Sequence, residues 1–208
     1  MSMTQPTSGR GLVFCVSGPS GAGKGTVIRR IMEMKPDMVH SVSVTTRPPR
    51  PGERDGEDYH FRTAAEFEAM LARGDILEHD CYCGNYYGTP RGPLDDFVSR
   101  GIDVLMDITV PGSLSVMNNY PEAITLFLLP PSFAELERRL RQRGTEDPET
   151  IRKRLAKARE EIGMTHNFTY AIINDDVDAA ARSVLAIAEA EHCRYERLKG
   201  LENTILAR

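Results

Sequence analysis

Short apolar runs and helical patterns alternate along the chain. Leu12 to Ser17 is a continuous run of strand length, and Val27 to Met34 follows it with apolar residues at helical spacing that stop before Pro36. Val104 to Ile108, Ile124 to Leu129 and Tyr170 to Ile173 read as further buried strands. Helix starts are well marked. Thr63 with Glu66 and Ser132 with Glu135 have capping-box spacing, and Asp147-Pro148 reads as an N-cap with proline at the first helical position. Ile151, Leu155, Ala158 and Ile162 form one stripe of the helix that follows. A last helix is expected from about Asp178 towards Lys199. Strands alternating with helices predict an α/β fold with a parallel sheet covered on both faces.

Two regions break the rhythm. Ser43 to Gly92 is rich in Arg, Pro, Gly and Tyr with weak strand signals, and Ser132 to Met164 is a charged helical pair with many arginines. Both read as insertions on the sheet. The expected division is a flexible tail over 1–10, a main domain over 11–190 and a C-terminal helix or tail over 191–208. Within the main domain the core covers 11–42, 93–131 and 165–190, and the insertions cover 43–92 and 132–164.

Composition narrows the function. A chain of 208 residues suits one medium domain. A net charge of −4 supplies no bulk positive field, so nucleic acid is not the expected partner. No run of about 18 apolar residues occurs, so no membrane span is expected, and a cytoplasmic location follows. Cys15 sits in an apolar run and reads as a small buried hydrophobe, whereas Cys81 and Cys83 lack a second pair at zinc-site spacing. The five histidines, His40, His60, His79, His166 and His192, form no metal spacing.

Gly18-Pro19-Ser20-Gly21-Ala22-Gly23-Lys24 matches the first seven positions of the phosphate-binding loop G-x-x-x-x-G-K-[ST], between a predicted strand and a predicted helix. Glycines let backbone N–H groups turn inward around phosphate oxygens, and the helix N-terminus adds partial positive charge. Lys24 adds a full charge. Gly25 fills the Ser/Thr slot and Thr26 follows it, so the hydroxyl that usually touches magnesium is displaced by one position.

The segments Ser43-Val44-Thr45-Thr46-Arg47-Pro48-Pro49-Arg50-Pro51-Gly52-Glu53 and Gly84-Asn85-Tyr86-Tyr87-Gly88-Thr89 carry more specific information. With the phosphate loop, they make the chain similar to the guanylate kinases from about Gly11 to about Ala190. That resemblance implies a P-loop three-layer fold with an acceptor-binding insertion (43–92) and a helical lid (132–164). It implies magnesium-dependent transfer of the γ-phosphoryl group of ATP to GMP in purine nucleotide metabolism, with dGMP as a further candidate acceptor. The unit would be a monomer or a homodimer.

By resemblance, Gly18 to Thr26 would bind ATP, and Arg47, Arg50, Tyr59 and Tyr87 would hold the GMP phosphate. Forked guanidinium donors suit such a dianion. Ser43, Glu78 and Thr89 would read guanine, Glu78 accepting from N1–H and the N2 amino group and Thr89 donating to O6. Taken alone, Glu78 also reads as a surface charge ending an apolar helical stretch. Lys24, Arg139, Arg143, Arg154 and Asp107 would act on the transferring phosphoryl group, with Thr26 or Asp107 reaching the metal through water. Arg138, Arg141 and Arg152 read as solvated helix charges. Asn174-Asp175-Asp176 matches the family's N-D-D and is placed near the adenine side.

One departure stands out. The family follows the strand aspartate with a second acid near the guanine edge and then a glutamine, where this chain has Thr109 and Pro111. Weaker GMP affinity, or compensation by a neighbour, is expected. Two other readings remain: a nucleoside monophosphate kinase of different acceptor specificity, and a non-catalytic guanylate-kinase-like binding module.

Overall fold

The computed structural model describes residues 9–82, 84–142 and 147–207. The chain opens with β1 (Val13–Ser17), α1 (Lys24–Met34), β2 (Val39–His40), β3 (Val44–Thr45) and β4 (His60–Phe61). It continues through α2 (Ala64–Ala72), β5 (Ile76–Tyr82), β6 (Asn85–Pro90), α3 (Arg91–Ser99), β7 (Val104–Asp107) and α4 (Val110–Asn119). It closes with β8 (Ile124–Leu129), α5 (Phe133–Gln142), α6 (Pro148–Gly163), β9 (Tyr170–Ile173), α7 (Val177–His192) and α8 (Leu201–Leu206).

Five strands form a parallel sheet in the order β2-β7-β1-β8-β9. Every residue of β1 is buried, as a central strand covered on both faces requires. Its alternation divides the core. Phe14 and Val16 pack with Val27 and Ile31 of α1 and Ala181 and Val184 of α7. Val13 and Cys15 face the other way, towards Leu94 and Val98 of α3 and Val116 of α4. Burial pushes the Cys15 thiol far up, so it stays a neutral packing group.

The region over 43–92 holds a second sheet, order β4-β3-β6-β5, in which β3 and β5 run antiparallel to β6. Its strand signals are weak because β3 and β4 have two residues each. Phe67 of α2 fills its core, packing on Val44 and Ile76 and stacking on Tyr86 with centroids 5.2 Å apart. The predicted Thr63–Glu66 capping box closes α2. Leu77 of β5 joins the cluster under α3 and α4, which docks this sheet against the parallel one.

Over 132–164 the two helices pack through Leu136, Leu140 and Ala158, with Leu155 and Ile162 against them, as the predicted stripe requires. Asp147 caps α6, accepting from the backbone N–H groups of Glu149 and Thr150. The Ser132–Glu135 box forms by half. Ser132 accepts from the Glu135 N–H at 3.1 Å, but the Glu135 carboxylate is taken by Arg138 and Arg139, which hold it down at about 2.

The last helix differs from the prediction. It starts at Val177 behind an Asp176 N-cap and ends at His192, short of Lys199. A turn over Tyr195–Arg197 and the short α8 follow. The cause is Glu191. Its buried carboxylate accepts from the Tyr170 hydroxyl at 2.7 Å and from Arg194 and Arg197, and reaching it from position 197 folds the chain back.

Candidate active site

The C-terminal ends of the parallel strands open on a cleft of about 360 Å³. Open α/β folds bind ligands at this edge. Gly18, Ser20, Lys24, Asp107 and Arg154 line one side, and Ser43, Tyr59, Glu78, Tyr87 and Thr109 line the other.

The loop joining β1 to α1 is shaped by its glycines. Gly18, Gly21 and Gly23 all have positive φ. At Gly18 a Cβ would fall on the Leu128 carbonyl, and at Gly23 it would meet the Asn174 side chain, so only glycine fits either place. Lys24 is the first residue of α1 and folds back over the loop, donating to the Gly18 carbonyl at 2.9 Å and lying 3.9 Å from Asp107 Oδ1. Asp107 is at the end of β7, as predicted. Thr26 is exposed and does not line the cleft, which favours Asp107 of the two metal-side candidates.

Asn174 braces the loop. Its side-chain amide donates to the Ala22 carbonyl at 2.7 Å, and its backbone carbonyl accepts from Arg139. Arg139 also pairs with Glu135 at 2.8 Å. It therefore ties the lid to the back of the loop and is absent from the cleft lining. Arg154 reaches the cleft and donates to the Ser20 hydroxyl. Arg138 and Arg141 pair with glutamates on their own helix, as solvated charges do. Arg143 lies outside the described residues.

On the opposite side, Glu78 is a buried residue of β5 and does not end a helix. The helical stretch stops at Ala72, and the apolar residues before Glu78 belong to the strand that follows. Thr89, its cross-strand partner on β6, donates its hydroxyl to Glu78 Oε1 at 2.7 Å. Desolvation raises the Glu78 pKa, partly offset by this bond and reinforced by the nearby Asp80 charge. A Cβ on Gly112 would meet Glu78 Oε2, so a glycine in the first turn of α4 makes room for the carboxylate.

The raised pKa has a stability consequence. The folded state favours the protonated acid. That preference is fully present below the ordinary value of 4.5 and is lost as pH rises through the raised folded value. Glu78→Gln keeps an acceptor for Thr89 without the buried charge. We expect it to melt at a higher temperature than the parent near pH 7, with the gap closing towards pH 4.5. Thermal melts across that range check this.

Tyr59 and Tyr87 meet edge to face with centroids 6.1 Å apart, and burial raises the Tyr59 phenol, which keeps its proton to donate. Arg47 is held beside them. Its guanidinium lies 5.4 Å from the Tyr59 ring centroid and pairs with Glu53 at 2.8 Å. Arg50 is exposed, and its backbone N–H donates to Glu53. Neither arginine lines the cleft itself.

Thr109 caps α4, its hydroxyl accepting from the Gly112 N–H at 3.1 Å. An aspartate is equally good at that cap. Thr109→Asp therefore restores an acid beside the acceptor side without loosening the helix. We expect KM for the acceptor to fall severalfold with kcat unchanged; steady-state kinetics decides it, and an unmoved KM means the position does not touch the acceptor.

Sequence reasoning missed three charged residues of the cleft: Asp80, Lys157 and Glu161. Asp80 was legible in principle, because it is two residues from Glu78 and strand alternation puts both on one face. Lys157 and Glu161 are one turn apart on the lid and 3.9 Å from each other.

A parallel α/β sheet whose first strand feeds a left-handed glycine loop and a lysine at a helix N-terminus defines a P-loop nucleotide-binding protein. The family model described as Guanylate kinase matches residues 10–191. The chain is 49% identical over 195 residues to the guanylate kinase of Streptococcus agalactiae, covering 93% of each, and 50% identical over 172 residues to that of Gloeobacter violaceus, covering 83% of this chain and 84% of the relative. The crystal structure of guanylate kinase from Anaplasma phagocytophilum superposes with a TM-score of 0.79 at 32% identity over 97% of both chains. The chain belongs to the guanylate kinase family, and that membership makes it a nucleoside monophosphate kinase.

Proposed function

We propose that this cleft transfers the γ-phosphoryl group of ATP to GMP, giving ADP and GDP, with magnesium, in the cytoplasm, as a step of purine nucleotide metabolism. The observation that carries the reading is the pairing across one cleft of the Lys24 phosphate loop with the buried Glu78 carboxylate. The first suits a triphosphate, and the second suits a base that presents adjacent N–H donors.

The working units are the sheet core, the acceptor region over 43–92 and the lid over 132–164, with short segments at either end. The loop over Gly18 to Thr26 cradles the ATP phosphates with its backbone N–H groups, other than Pro19, which has none, and Ala22 and Thr26, which donate to the Pro19 and Gly23 carbonyls, and Lys24 neutralises the β- and γ-oxygens. Magnesium fits this site. Asp107, a carboxylate beside Lys24, would hold the hydrated ion through water next to the substrate phosphates. Bound there, it would supply positive charge to the transferring group.

Arg154 carries lid charge to the γ-phosphoryl group, whose transfer needs alignment and charge stabilisation more than covalent help. Arg143 belongs to the same lid set, and Arg139 holds the lid to the loop. Closing it excludes water. Arg47, Arg50, Tyr59 and Tyr87 hold the GMP phosphate, Arg47 turning from Glu53 to the dianion. Glu78 accepts from guanine N1–H and N2–H. Thr89 has one hydroxyl proton and gives it to Glu78, so it fixes that carboxylate, and the Ser43 hydroxyl is the donor for O6.

A coupled ADP-release assay with ATP, magnesium and each of GMP, AMP, UMP and CMP tests this. Turnover with GMP alone is expected, abolished by EDTA. Faster turnover with another acceptor keeps the kinase and overturns the reading of Glu78.

A further inference from the structure

β5 runs along the acceptor side of the cleft, and its alternation brings both Glu78 and Asp80 to the lining. Their cross-strand partners on β6 differ in kind. Glu78 pairs with Thr89, and Asp80 pairs with Tyr87. Two same-face positions on a strand are about 7 Å apart. On the proposed reading, the Glu78–Thr89 rung holds the base, and Tyr87, with Tyr59 and Arg47 beside it, holds the phosphate. Asp80 therefore shares the rung of a phosphate-holding tyrosine and lies one same-face rung from the base-reading pair, within reach of the ribose that joins base to phosphate in a nucleoside monophosphate.

The chemistry selects the same partner. A carboxylate only accepts hydrogen bonds. The phosphate dianion is also an acceptor, so Asp80 cannot bind it. The N1 and N2 donors of the base are matched by Glu78. Moving along the rim of guanine past N2, the next donor is the ribose 2′-hydroxyl. Asp80 Oδ1 accepts from the Cys81 N–H at 2.8 Å, which fixes the carboxylate and leaves Oδ2 for a ligand. Across the cleft stand Lys157 and Glu161 of the lid. Asp80 and Glu161 lie close enough for the Asp80 charge to help burial raise the Glu161 carboxyl.

We propose that Asp80 accepts a hydrogen bond from the 2′-hydroxyl of the acceptor nucleotide, so that this cleft prefers GMP to dGMP. The inference rests on the acceptor-site reading above. One hydrogen bond to a charged group corresponds to a preference of about 10- to 100-fold.

The test measures Kd by calorimetry and kcat/KM by the coupled assay for GMP, dGMP and IMP, with the parent, Asp80→Ala and Asp80→Asn. The parent is expected to favour GMP over dGMP by about 10- to 100-fold in both quantities. Asp80→Ala brings the ratio to about one through loss on GMP alone, and Asp80→Asn, which keeps shape and an acceptor, falls between. An unchanged ratio overturns the proposal. So does an equal fall for GMP and dGMP, which assigns Asp80 to the lid charges, and so does a change confined to the GMP-to-IMP ratio, which assigns it to the N2 amino group. Binding without turnover defeats the kinase reading alone, because the Kd ratio still reports on Asp80. A parent that binds neither GMP nor dGMP overturns both.

Discussion

Lys24→Ala is expected to lower kcat for GMP phosphorylation by about 10³-fold, the scale of removing a preorganised group aimed at developing charge. Lys24 is held over the loop by the Gly18 carbonyl at 2.9 Å, so its charge is in place before the transition state forms. The variant loses that charge and also leaves Asp107, now 3.9 Å from the ammonium, as an uncompensated anion beside the phosphates. The fold should hold. The pair is partly solvated, with side chains 18% and 33% exposed, and such pairs contribute about 1 kcal/mol or less. Kinetics alongside a thermal melt separates the two effects: a collapsed kcat with a near-parental melting temperature is the expected pattern. A kcat within tenfold of the parent would remove Lys24 from the chemistry.

Glu78→Gln is expected to reduce kcat/KM for GMP by about 10³- to 10⁴-fold while changing AMP by less than about tenfold. A glutamine presents one acceptor and one donor where guanine needs two acceptors. One donor of the base is then left facing an N–H in a buried pocket. Glu78 is only 5% exposed, so water cannot repair the mismatch. The same substitution is expected to stabilise the unliganded protein near neutral pH. Specificity here is held against stability: a desolvated carboxylate is kept for the base it recognises. Parallel loss on every acceptor would instead mean that Glu78 shapes the site without reading the base.

Four of the five parallel strands were legible because they are apolar runs of four to six residues between helices with stripes and caps, whereas β2, with two residues, left no pattern to read. The phosphate loop was legible because glycine at positive φ has no substitute at Gly18 or Gly23. The second sheet was not. Two-residue strands leave no period, and β5 carries polar residues on its cleft face, so Ile76 to Glu78 looked like the tail of α2. That misreading hid Asp80. The end of α7 was equally hidden, because the buried Glu191 that draws Arg194 and Arg197 back is a tertiary contact that no local pattern announces. Asn174 was recognised by family pattern, but its hold on the Ala22 carbonyl needs β9 and the loop side by side.

The direct test of phosphoryl transfer is to follow the products. Incubate the protein with ATP, magnesium and GMP, and record ³¹P spectra over time. We expect ADP and GDP to appear in equal amounts with no inorganic phosphate. ADP with inorganic phosphate and no GDP would make the protein an ATPase, and unchanged ATP in the presence of bound GMP would make it a binding module.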